Sequence, residues 1–128
     1  MPQLDAIGII VSDLADAVAF YRLLGLDFAE VDPGDGHAEA TTSGGIRVML
    51  DSEESVRSFS DWEAPRGSYR VALAFLCESP ADVDELFETM TGAGGQTQLA
   101  PFDAPWGQRY ATVLDGDGNA VDLFAPNR

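Results

Sequence analysis

Two sets of side chains in this sequence could do chemistry. The first is polar. His37 is the only histidine, and Glu39 follows it two positions later. On an extended strand both would point to the same side. An imidazole that titrates near neutral pH could act as a general base or hold a ligand. The plainer alternative is a polar residue opening a strand after Asp35-Gly36. The second set is aromatic. Trp106 lies in Asp103-Ala104-Pro105-Trp106-Gly107, a loop leading into a strand, and Trp62 sits in a second loop-like stretch. Large rings in loops are less readily explained by core packing than rings at helical spacing. With Tyr110 and Phe124, and with Arg47, Asp51 and Asp122 as polar groups, they form the usual recipe for a small-molecule pocket. The alternative is that Trp106 and Phe102 seal a sheet edge or a subunit interface. Nucleophilic catalysis has little to build on. With one histidine, a Ser-His-Asp or Cys-His set would need His37, and no spacing supports one. Cys77 closes an apolar strand and reads as a small apolar side chain. No catalytic residue is assigned.

The elements that must position these residues come as a repeat. Residues 4–11, LDAIGIIV, are an apolar, β-branched run that predicts a strand. Ser12 and Asp13 can cap a helix whose apolar face is Leu14, Ala17, Val18, Tyr21 and Leu24, and Gly25 is a natural stop. Strands are expected near 26–31, 37–42 and 46–51. The order then recurs. Tyr69–Cys77 is a strand candidate, Ser79 and Pro80 suit a helix start, and Val83, Leu86, Phe87, Met90 and Ala93 repeat the helical spacing 69 positions on. Strands are expected near 96–101, 108–114 and 119–125, the last two joined by the turn-rich Asp115-Gly116-Asp117-Gly118-Asn119. The reading is βαβββ twice. Module one covers 1–52, a connector 53–67 and module two 68–128, within a single domain.

Helices with one apolar face, separated by strands, imply a sheet covered on one side. Alternation assigns the faces. Ala38 and Ala40 suit the helix side, leaving His37, Glu39 and Thr41 on the other. Ala111 and Val113 suit the core, leaving Gln108, Tyr110 and Thr112 outward. A slip of one residue would reverse these assignments.

Size and composition bound the rest. A chain of 128 residues with 45% hydrophobic content fits one folded domain. Asp and Glu number 22 against seven basic residues, all arginine, for a net charge of −15. Such a field repels phosphate backbones, so nucleic acid is not an expected partner, whereas a cationic small molecule would be attracted. Acidic residues also simply keep a protein soluble. No apolar run is long enough for a membrane span and no signal-peptide pattern opens the chain. One cysteine allows no internal disulfide. The expected location is the cytoplasm.

Several segments together resemble the vicinal oxygen chelate superfamily of glyoxalases, extradiol dioxygenases and bleomycin-resistance proteins. They are Ile10-Val11-Ser12-Asp13-Leu14 leading into Val18-Ala19-Phe20-Tyr21-Arg22-Leu23-Leu24-Gly25-Leu26; Leu73-Ala74-Phe75 with Ser79-Pro80-Ala81-Asp82-Val83-Asp84; Pro105-Trp106-Gly107; and Leu114-Asp115-Gly116-Asp117-Gly118-Asn119 through Leu123-Phe124. The resemblance implies an α+β fold, with two tandem βαβββ modules forming a half-barrel cup and helices on its outer face. In metal-dependent members, each module supplies one ligand from its first strand and one from its last. The matching positions here hold Ala6, Met49, Ala72 and Asp122. Alanine has no donor atom and thioether sulfur is soft, so no metal and no other cofactor is expected. The nearest members implied are the metal-free, bleomycin-resistance-like ones.

The leading expectation is thus a metal-independent binding protein that sequesters a cationic aromatic antibiotic. Its pocket would be lined by Trp106, Tyr110, Phe124, Met49 and Asp122, with Arg47, Glu39, His37 and Trp62 nearby. The alternatives are an atypical lyase or isomerase using Asp122, Glu39 or His37 as acid or base, and an interaction module that binds no ligand. Exposed sheet edges and the resemblance make a homodimer the expected assembly.

Overall fold

The apolar runs become strands and the i, i+3, i+4 patterns become helices in a computed structural model that describes residues 1–127. The chain divides into two compact units, Met1–Arg66 and a second beginning at Gly67.

In the first unit, β1 (Ala6–Val11) leads into α1 (Leu14–Arg22), followed by β2 (His37–Thr41), β3 (Arg47–Ser52) and the short α2 (Glu53–Arg57). Asp13 caps α1 by accepting the Asp16 N–H at 3.0 Å, which satisfies one of the orphan donors of the first turn. Leu14, Ala17, Val18, Phe20 and Tyr21 are buried. Gly25, at φ +85°, supplies the left-handed residue past the helix end. The sheet order is β1-β3-β2, with β1 parallel and β2 antiparallel to the central β3. Ala38, Ala40, Val48 and Leu50 are buried, while His37, Glu39 and Thr41 are exposed. The alternation reading of this sheet therefore holds.

One expectation for this unit fails. Residues 26–31 form no strand. Leu26 and Phe28 are buried alternately with exposed Asp27 and Ala29, which is the pattern that suggested one. The carbonyls of Phe28 and Ala29 instead accept hydrogen bonds from Arg22 Nη2 at 2.8 and 3.0 Å. A side chain from the end of α1 thus takes the place of a partner strand. The connector holds a short helix: Ser52 accepts the Ser55 N–H at 3.1 Å and starts α2, which buries Val56.

In the second unit, β4 (Ala72–Leu76), α3 (Pro80–Gly92), β5 (Gln96–Ala104), β6 (Gln108–Leu114) and β7 (Ala120–Pro126) follow the expected βαβββ order. The strand expected over Tyr69–Cys77 is narrower, at Ala72–Leu76. Ser79 caps α3 by accepting the Asp82 N–H at 3.2 Å, and Pro80 stands in the first turn, where no N–H is needed. The sheet order is β4-β7-β6-β5, with β4 and β7 parallel and the other pairs antiparallel. Val83, Phe87 and Met90 of α3 are buried, as are Ala111, Val113, Val121, Leu123 and Ala125 of the sheet. Burying each large aliphatic side chain contributes roughly 1.5–3 kcal/mol. Arg109 ties the helix to the sheet: Nε and Nη2 donate to the two Asp84 oxygens at 2.9 and 3.2 Å, and Nη1 donates to Asp103 at 3.1 Å.

The β6–β7 turn is built around Asp115. Its Oδ1 accepts the N–H groups of Asp117 and Asn119 at 2.8 and 2.9 Å, its Oδ2 accepts Asn119 Nδ2 at 2.9 Å, and Gly118 takes φ +83°. This register sets which β7 side chains lie opposite which β6 side chains, and hence what surrounds Asp122.

Candidate functional site

The sequence candidates fall into two groups, one in each unit. In the first unit, His37, Glu39, Arg47, Met49 and Asp51 share the face of the sheet turned away from the buried Ala38, Ala40, Val48 and Leu50. His37 and Asp51 are cross-strand partners, and His37 Nδ1 lies 2.6 Å from Asp51 Oδ1. The other ring nitrogen, Nε2, is 3.8 Å from Glu39 Oε1. Glu39 Oε2 in turn accepts from Arg47 Nη1 at 2.5 Å, and Arg47 Nη2 donates to Asp5 at 2.6 Å. The bonds to Asp5 and then Glu39 raise the already high pKa of the guanidinium. The polar side chains on this face are thus linked in a chain that runs Asp51, His37, Glu39, Arg47, Asp5. Met49 stands in register between Gly8 and Glu39. Trp62 is engaged within its own unit, with the Arg57 guanidinium 5.1 Å above its ring.

The second unit holds Trp106, Tyr110, Asp122 and Phe124. Phe102 and Phe124 are the cross-strand partners of Tyr110 on either side, so the three share one face. The turn between β5 and β6 adds Trp106. The rings meet edge to face: Trp106–Tyr110 centroids are 5.3 Å apart, Phe102–Trp106 6.1 Å and Phe102–Tyr110 6.3 Å. Such contacts are each worth about 0.5–1.5 kcal/mol beyond area burial, so the cluster is held in place before any ligand arrives. Trp106 is nevertheless 58% exposed, and its indole N–H is oriented by Gln108 Oε1 at 2.8 Å. Beside the rings, Asp122 accepts the Tyr110 hydroxyl at 2.5 Å and the Thr112 hydroxyl at 2.7 Å. Burial first, and then the bond to Asp122 and its charge, push the Tyr110 phenol up to about 12.

Sequence reasoning placed Thr112 outward but left it out of the site, and treated Phe102 only as a possible edge seal. The β6–β7 pairing, in which Thr112 stands opposite Asp122, carries the missing signal. Also unforeseen is a cavity of about 730 Å³ in the first unit, lined by Asp13, Asp32, Asp35, Glu54 and Ser52 among others. Its polar groups serve the local chain: Asp13 and Ser52 cap helices and Asp35 accepts the Asp32 N–H at 2.8 Å. Burial and then Asp82 push the Cys77 thiol up, which disfavours the thiolate.

The repeat of a parallel first and last strand, flanked by a helix, defines paired modules of the βαβββ type, with the first module one strand short. The chain belongs to the Glyoxalase/Bleomycin resistance protein/Dioxygenase superfamily, whose model matches residues 3–123. No curated protein matches the chain. Among solved structures, it is similar to a family enzyme from Burkholderia phytofirmans PsJN, at 20% identity and TM-score 0.82 over 98% of this chain and 99% of that one. A family protein from Nocardioides gives 24% identity and TM-score 0.73, covering 100% and 85%. A superfamily member from Sphaerobacter thermophilus DSM 20745 gives 28% and 0.66, covering 98% of each chain. These likenesses bear on the fold.

Metal-dependent members of the family bind their ion at the positions held here by Ala6, Met49, Ala72 and Asp122. These residues do not fit a hard divalent cation. Two carry no donor atom, the third offers a thioether, and the fourth, Asp122, is a single carboxylate where a catalytic site needs about three protein ligands. Among the described residues, no group of three or more His, Cys, Asp or Glu side chains converges to hold an ion. No helix among them is long and apolar enough to cross a membrane.

Proposed function

We propose that this chain is a metal-independent small-molecule-binding protein that holds a flat, cationic aromatic compound against Trp106 and Tyr110, in the manner of an antibiotic-sequestering protein. The observation that carries the reading is a pre-packed ring cluster with an exposed tryptophan, set beside a single carboxylate. Ring faces stack on flat ligands and attract cations, with contacts worth about 0.5–2 kcal/mol each. The overall charge of −15 adds a long-range pull on cations that salt weakens. Phe124 completes the wall as the partner of Tyr110, while Met49, Arg47, Glu39, His37 and Trp62 belong to the first unit.

Tryptophan fluorescence tests this directly. Titration with bleomycin-like glycopeptides and intercalator-type antibiotics should quench the emission, and neutral aromatic controls should bind more weakly. Trp106→Ala should weaken binding about tenfold, the equivalent of ~1.4 kcal/mol. A panel in which no flat ligand perturbs the emission would defeat the reading. Calorimetric titration with zinc, nickel, manganese and ferrous ions should show no specific binding. One equivalent bound at micromolar affinity would overturn the metal-independent part.

One observation favours a second reading. A carboxylate hydrogen-bonded to Nδ1 of a histidine fixes the ring and its tautomer, as in general-base pairs, and His37 with Asp51 has that arrangement. On this reading the chain is an atypical lyase or isomerase. Loss of a measured activity in both His37→Gln and Asp51→Asn, with Trp106→Ala less affected, would favour it.

A further inference from the structure

The polar end of the ring cluster has a proton inventory that can be counted. A hydroxyl carries one proton, and a carboxylate offers only lone pairs. The Tyr110 proton goes to Asp122 Oδ2 at 2.5 Å and the Thr112 proton goes to Asp122 Oδ1 at 2.7 Å. A charged acceptor at these distances holds both protons more strongly than a neutral competitor would. The raised pKa of Tyr110 agrees with a phenol that keeps its proton in this bond. The indole N–H of Trp106, a single donor, is likewise committed to Gln108 Oε1 at 2.8 Å. Thr112, the cross-strand partner of Asp122, is itself buried, at 2% exposure, so its hydroxyl is not open to a ligand. What remains around Asp122 for a ligand is lone pairs, on its two oxygens and on the Tyr110 oxygen. The amide NH₂ of Gln108 is a donor at the other end, beside the indole.

From this we infer that the face selects ligands that bring their own N–H donors to Asp122: a primary ammonium or amidinium joined to a flat ring, in preference to a quaternary ammonium of the same charge. Tyr110 sets the layout, because its ring packs against Trp106 while its hydroxyl touches Asp122. A ligand lying along it meets the rings at one end and the acceptors at the other. Cation–π attraction alone would accept a methylated and an unmethylated cation alike. Hydrogen bonds to a charged group separate them, because a trimethylammonium has nothing to donate. A carboxylate or phosphate ligand would meet lone pairs and a negative charge. The inference rests on the reading that flat ligands bind here, and it adds the hydrogen-bonding class.

The test uses the whole protein and two probes of one ring and one charge, naphthylmethylammonium and naphthylmethyl-trimethylammonium, with naphthoate as the anionic control. Affinities come from calorimetry, with tryptophan fluorescence as a second readout. Because the two cations carry equal charge, the net charge of the protein acts equally on both. The primary ammonium should bind about tenfold or more tighter than the quaternary one, and naphthoate should not bind. Asp122→Asn, which replaces lone pairs with an amide that also donates, should bring the two cations to near-equal affinity. Equal affinities in the unaltered protein would overturn the inference while leaving the ring site standing. No binding of either cation would overturn both. A preference that survives in folded Asp122→Asn would remove Asp122 as its source.

Discussion

The β2–β3 ladder of the first unit aligns with the β6–β7 ladder of the second, and the alignment separates what the fold demands from what it leaves open. His37 to Tyr110 and Asp51 to Phe124 are both 73 residues apart, and each pair occupies the same register position in its β2–β3 or β6–β7 ladder. Along that offset the buried positions keep their chemistry. Val48 matches Val121, Leu50 matches Leu123, Ala38 matches Ala111 and Ala40 matches Val113, and all eight are buried. The opposite face diverges at every step: His37 against Tyr110, Glu39 against Thr112, Arg47 against Ala120, Met49 against Asp122, Asp51 against Phe124. The same backbone therefore presents a linked chain of polar and charged side chains in one unit and a ring cluster with one carboxylate in the other. Close packing under a helix constrains volume and shape. The other face is buried less uniformly, and its residues differ between the two units.

The largest effects should come from breaking the part the units share. Leu50→Ala and Leu123→Ala remove side chains with 0% exposure from equivalent central positions. Each should cost about 2–5 kcal/mol, read as a lowered midpoint in urea denaturation. A cost confined to one of the two would show that the packing is not equivalent. A smaller effect should sharpen the difference between the outer faces. The Tyr110 phenol is raised from 10.0 to about 12. Its neutral form is the one the fold favours, so its contribution to stability is fully present below pH 10 and is lost as pH rises through about 12. Ultraviolet titration should show an ionisation near pH 12 that Tyr110→Phe removes. A titration left unchanged by Tyr110→Phe would contradict the Asp122 bond. The smallest effects belong to the arginines. Arg109 joins α3 to β6 through a two-pronged bond to Asp84 and has a side chain 23% exposed, whereas Arg47 bridges surface carboxylates and is 37% exposed. Arg109→Met should lower the melting temperature slightly and Arg47→Met scarcely at all, since exposed ion pairs are screened. The reverse order would indicate that the charge chain of the first unit is structural.

Several parts of the site were legible before any coordinates because they depend on local rules. The period of two placed His37, Glu39 and Thr41 opposite the alanines, and Gln108, Tyr110 and Thr112 opposite Ala111 and Val113. The turn at 115–119 announced itself through its Asp, Gly and Asn residues. The expectation of a strand over 26–31 failed for a specific reason. Alternating burial is a property of the segment, but a strand also needs a partner, and Arg22 occupies the Phe28 and Ala29 carbonyls instead. Helix α2 escaped notice because five residues give too short a pattern to read.

What the sequence determined by itself is the repeated order of elements, the helical faces and the side of each strand on which a residue points. These follow from chain geometry over a few neighbouring positions. What only the tertiary structure decided is which distant residues meet. Tyr110 and Thr112 share Asp122, from twelve and ten positions away, because the turn at Asp115 fixes the β6–β7 register. His37 meets Asp51 across 14 positions for the same kind of reason. A carboxylate in the sequence is only a charge. Strand pairing gives it two hydroxyl donors, and that leaves it with lone pairs alone to offer a ligand.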